Sequence, residues 1–177
     1  MLDSYRHPNA GRTTSTPVEA THGVARTDAD AKKPRWGDKN CLCHEGLRMF
    51  QQKRYLEAAI FYRKAGNDML AAWGHENNDI GNARRGEAAS LAAAGRYVKA
   101  ETLYKDAIRI YLTCANGQPS DQLQDTILDL ADTYKNQGKN GEAQKLAKSS
   151  WELCALAKTN PQEAVKHFNS AISGWPF

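Results

Sequence analysis

A chain of 177 residues has room for one domain with a tail, since single cores occupy about 100 to 200 residues. Its 24 basic and 20 acidic residues are scattered rather than blocked, so the formal charge of +4 offers no footprint for counterion release and argues against nucleic acid as a partner. No stretch approaches the roughly 20 apolar residues of a membrane span, and Met1 to Thr21 lacks the apolar core of a secretory signal.

A cytoplasmic protein without membrane contact is therefore expected, with a non-Sec export route left open. Cys41, Cys43, Cys114 and Cys154 are too few and too irregular for a disulfide scaffold and read as reduced thiols standing where small hydrophobes belong. After residue 38, Ala, Leu, Lys, Glu, Gln and Arg dominate, a composition that favours helices over strands and predicts an all-α fold.

Residues 1–38 are rich in Thr, Ala, Gly, Pro, Asp and Arg, with Leu2, Tyr5, Val18, Val24 and Trp36 as the bulky apolar groups and no sustained period. They predict a disordered arm, with a short docking motif as the functional alternative. Beyond Asn40 the sequence repeats. Arg54-Tyr55-Leu56-Glu57-Ala58-Ala59-Ile60-Phe61-Tyr62 returns as Arg96-Tyr97-Val98-Lys99-Ala100-Glu101-Thr102-Leu103-Tyr104, and more weakly from Lys139 through Ala143 to Ala147. The anchoring Ala58, Ala100 and Ala143 set a period of 42 to 43 residues.

Each copy carries one apolar stripe at helical spacing: Ala58, Phe61, Tyr62, Ala65, Met69; then Ala100, Leu103, Tyr104, Ala107, Ile108, Tyr111; then Ala143, Leu146, Ala147, Trp151, Cys154. A second helix precedes each stripe, marked by Leu42, Gly46, Met49, Phe50; by Ile80, Ala88, Leu91; and by Ile127, Leu130, Ala131, Tyr134. Gly95 and Gly138 supply the left-handed turn between the two helices, a part that Gln52-Lys53 fills less well in the first copy.

Gly74 to Asp79 and Asn116 to Asp121, with Pro119, break the chain between copies. The three copies occupy about 39–74, 76–115 and 120–158. Asn160 as N-cap, Pro161 at the first helical position and Glu163 at the third open a last helix over 160–173, with Ala164, Val165, Phe168, Ala171 and Ile172 buried and Gly174 as its stop. That helix is expected to cap the open end of the stack.

These units resemble the tetratricopeptide repeat, whose pattern W-x2-L-G-x2-Y then A-x3-F is approached by Ile127-x2-Leu130-Ala131-x2-Tyr134, Ala58-x3-Tyr62 and Ala100-x3-Tyr104. The period exceeds the usual ~34 residues and resembles the longer repeats of the kinesin light chain type. The resemblance implies a solenoid of three helix pairs with the first helix of each pair lining a concave, protein-binding surface. On that alignment the lining comprises Asn40, Cys43, His44 and Leu47, then Asn82, Arg85 and Ala89, then Asp125, Asp129 and Asp132.

The three aspartates share one helical face and read either as a receiver for a basic segment of a partner or as a solvated face compensating a helix dipole. Arg85 stands above Ala88, Ala89, Ala92 and Ala93 as a cation for a partner carboxylate. The Lys/Asn/Arg clamp with which some family members grip chaperone tails is replaced by Cys43, Leu47, Gly86, Asp125 and Asp129.

The expected function is thus a non-catalytic adaptor that binds a peptide or helix of another protein without a cofactor. A secretion or assembly chaperone is the alternative, and self-association through apolar ends is a further possibility. Cys41-x-Cys43-His44 is the one chemical-looking motif, and a metal or thiol enzyme built on it is the remaining reading. Its spacing is short for zinc, and on a helix Cys41 and Cys43 point about 200° apart. No phosphate loop, H-E-x-x-H or G-x-S-x-G is present.

Overall fold

The computed structural model describes residues 33–38, 41–114 and 121–171. The expected arm up to residue 32, the lining residue Asn40, the Asn116–Ser120 breaker, Ile172 and Gly174 all lie outside these residues. The described residues form seven α-helices and no strand: α1 Leu42–Gln51, α2 Tyr55–Trp73, α3 Asn78–Ala93, α4 Tyr97–Cys114, α5 Asp121–Asn136, α6 Asn140–Thr159 and α7 Pro161–Ala171. The fold is all-α, as the composition predicts.

The connections explain why helices start and stop where they do. After α1, Lys53 adopts φ 61°, its N–H donates to the Phe50 carbonyl at 2.9 Å and the next N–H, of Arg54, donates to Met49 at 2.9 Å. Gly95 after α3 and Gly138 after α5 repeat both bonds with Ala92 and Leu91, and with Lys135 and Tyr134. All three are Schellman turns, which satisfy the last helical carbonyls and send the chain back along the helix it has left. Side-chain caps open other helices. Asn77 Oδ1 accepts from Ile80 N–H and Asn160 Oδ1 from Glu163 N–H, both at 3.1 Å.

Consecutive helices pack on one another, and α3 touches α1 and α5 in addition to α2 and α4. Small residues permit that closeness. A β-carbon at Gly46 on α1 would sit 3.0 Å from the Tyr62 ring, and one at Gly86 on α3 would sit 2.8 Å from it, so the ring is held between two glycines. Gly86 therefore faces the core rather than a binding surface. Tyr104 is fully buried in one apolar cluster with Ala88 and Ala131, and Tyr111 lies against Gly81. Each such burial contributes about 1.5–3 kcal/mol.

Three findings depart from the sequence reading. The expected arm boundary at 38 falls late, because Trp36 stacks on Tyr62 with ring centroids 5.7 Å apart and the Trp73 indole N–H donates to the Pro34 carbonyl at 2.9 Å. One tryptophan uses its ring face and the other its indole N–H to tie residues 34–36 to α2. In α6 the buried residues are Ala143, Leu146, Ser150, Leu153 and Ala157, whereas Ala147 is exposed and Trp151 is 72% exposed. The third finding gives the reason. The last helix begins at Pro161 as expected, but it packs against α6 and α4, burying Ala164 and Phe168 there. It does not take the place beside α6 that α3 takes beside α2 and α5 beside α4.

Candidate partner-binding surface

The expected surface lies on α1, α3 and α5. On α1, His44 is exposed and Leu47 half-buried against the core. On α3, Asn82 is half-buried and accepts a 2.7 Å hydrogen bond from the Tyr111 hydroxyl of α4, while Ala89 is only 8% exposed. Ala89 thus serves helix contact more than ligand contact. The close approach that small α3 residues allow is what hides it.

Arg85 is corrected in role. Its side chain is 12% exposed, and its Nε donates to Asp129 Oδ2 at 3.0 Å while a terminal nitrogen lies 3.8 Å from Asp125 Oδ2. The cation expected to meet a partner carboxylate, and two of the acids expected to meet a partner cation, meet each other. They stand on neighbouring helices 40 and more residues apart in sequence, so helical periodicity could not pair them.

Burial pushes the Asp129 carboxyl above the ordinary range against the opposing pull of Arg85, and the like charges of Asp125 and Asp132 add to the rise. Asp125 keeps 44% of its side chain in solvent and Asp132 is exposed. Arg85 meets Asp125 and Asp129, and Asp132 adds a third carboxylate near Asp129, which leaves the α5 side of this surface net acidic. Tyr111, absent from the sequence-derived site, props Asn82 in place. Its presence in the apolar stripe was legible, but its polar partner was not.

The Cys41-x-Cys43-His44 motif is divided between a helix cap and a thiol–imidazole contact. Cys41 is the N-cap of α1 in extended conformation rather than a helical residue, and its Sγ accepts from Cys43 N–H at 3.3 Å. Burial pushes its thiol up to about 12, where it stays protonated and a poor nucleophile at neutral pH. Cys43 is buried 3.9 Å from His44 Nδ1. Among the described residues no three His, Cys, Asp or Glu side chains converge on a point that could hold a metal.

Elsewhere the helices are tied by ion pairs. Glu87, 3% exposed on α3, accepts from Arg63 of α2 at 2.7 Å, and Glu76 forms a two-pronged pair with Arg109 of α4 at 2.7 and 2.8 Å. Neither was foreseen from sequence, where Glu87 looks like a solvated helix residue and Glu76 falls in the break between copies. No helix among the described residues is long and apolar enough to cross a membrane. No family model, curated protein or solved structure matches the chain.

Proposed function

We propose that the chain is a tetratricopeptide-type helical repeat that holds another protein without catalysis, binding a peptide or helix with a basic segment across α1, α3 and α5. One observation carries this reading: three Schellman turns recur at the repeat period, at Lys53, Gly95 and Gly138, and the helices that precede them touch in succession. Stacked units of this kind present one continuous groove, and repeat proteins use such grooves for extended ligands.

The ligand chemistry follows from the charges. Arg85 neutralises only part of the Asp125, Asp129 and Asp132 cluster, and the two acids most open to solvent can receive Lys or Arg from a partner. His44 and Asn82 offer polar contacts farther along the same side.

The test is affinity capture with the full chain against an Asp125→Ala, Asp132→Ala variant, which spares the closer Arg85–Asp129 pair. The expected result is a protein recovered by the parent and lost from the variant, with matched circular dichroism. Equal recovery by both would remove the acidic end from the binding site.

A further inference from the structure

The internal repeat shows what is missing at one end of the helix stack. Tyr62, Tyr104 and Ala147 stand at the same distance beyond their turn residues, as do Gly66, Ile108 and Trp151. In the first two units these positions are covered. Tyr62 lies between Gly46 and Gly86, a β-carbon on Gly66 would meet Ala83 of α3 at 3.1 Å, and Tyr104 and Ile108 are fully buried. In the third unit the aromatic is replaced by Ala147 and the neighbouring residue is Trp151, 72% exposed.

Between α5 and α6 a cleft of about 190 Å³ opens there, lined by Ala131, Asp132, Lys135, Asn140, Ala143, Gln144 and Ala147. Its floor residues Ala131 and Ala143 are the counterparts of Ala88 and Ala100, which share a buried cluster with Tyr104. The cleft is thus an aromatic slot without its aromatic. A cavity of about 150 Å³ already accepts a benzene ring. One helical turn along the same face of α6, Trp151 is a protruding aromatic without a slot.

We infer that this face pairs with the same face of a second copy about a two-fold axis, the Trp151 of each entering the cleft beside Ala147 of the other. Antiparallel packing of α6 on α6 brings each Trp151 opposite an Ala147 because both lie on one face, a turn apart. The stripe from Asn140 through Gln144, Ala147 and Trp151 to Cys154 carries no formal charge, and the cleft wall on α5 carries one acid and one base, Asp132 and Lys135. A tryptophan seated in a desolvated pocket near the centre of a contact is also the kind of anchor that dominates interface energetics. This face meets the proposed groove on α1, α3 and α5 at Asp132, which lines the cleft and also belongs to the acidic cluster of α5.

Sedimentation equilibrium of the full chain from about 1 to about 200 µM tests it. The parent is expected to be a monomer–dimer system. Trp151→Ala is expected to weaken dimerisation by about thirtyfold or more with unchanged helicity, the side chain being exposed in the single chain. Ala147→Tyr, which fills the slot from within, is expected to weaken dimerisation while the monomer melts no lower than the parent. A parent that stays monomeric throughout, or a dimer indifferent to both substitutions, overturns the inference. Growth past the dimer overturns it too, since open growth needs a head-to-tail contact.

Discussion

Lys53 occupies the left-handed position that glycine fills in the two later turns, at φ 61° against 74° and 79°. A β-carbon there costs about 1 kcal/mol, and the Schellman hydrogen bonds on either side hold it in place. Lys53→Gly should accordingly raise stability in urea unfolding by about 0.5–1 kcal/mol, the gain being trimmed by the added freedom of glycine in the unfolded chain. Tyr104 presents the opposite case, a fully buried ring amid alanines. Tyr104→Ala should cost about 3–5 kcal/mol, because neighbouring alanines cannot extend to fill the space.

At the scale of elements, the turn between α5 and α6 is tied to α4 through Glu101. Its carboxylate accepts from Lys105 and Lys139, both at 2.8 Å, and from the Gln137 amide at 2.9 Å. Burial works against its ionisation, but these donors together outweigh it and hold the group near 2.

A carboxyl lowered on folding adds stability that is complete above its unfolded value near 4.5 and is lost as pH falls toward 2. Thermal melts should therefore drop between about pH 5 and pH 2, by on the order of 2–3 kcal/mol from this group. Glu101→Gln should flatten that part of the profile. A profile unchanged by the substitution would place the acid sensitivity elsewhere.

The same scale shows how much of the site was legible. The stripes of α2 and α4 were readable because a following helix covers them, as helical periodicity assumes. In α6 the stripe was readable through Ala143 and Leu146 but not beyond. Ala147 and Trp151 continue the pattern of Tyr104 and Ile108 in sequence, but α7 turns to α4 and α6 and leaves them open. Arg85 and the aspartates were assigned to the right helices. Their mutual pairing depends on the placement of α3 beside α5, which no local pattern encodes.

For the whole molecule, helices contact their chain neighbours far more than distant segments, so unfolding should begin at the ends. The pair α3 and α4 is packed from both sides, by α2 and by α5, and α7 adds a contact to α4. Native-state hydrogen exchange should show its slowest amides in α3 and α4 and faster exchange in α1. Uniform protection from α1 to α7 would mean that the stack opens as one unit.

What the sequence by itself determined is local: the all-helical composition, the 42 to 43 residue period, the turns at Lys53, Gly95 and Gly138, and the N-cap at Asn160. Backbone conformation and the 3.6-residue period act over a few neighbours, so a single strand of text suffices to read them. Tertiary structure alone decided which aspartates Arg85 satisfies, that burial keeps the Cys41 thiol protonated, and that α7 leaves Trp151 uncovered. Each of these depends on which helix lies beside which, and burial, desolvation and ion pairing take their values only once that neighbourhood exists.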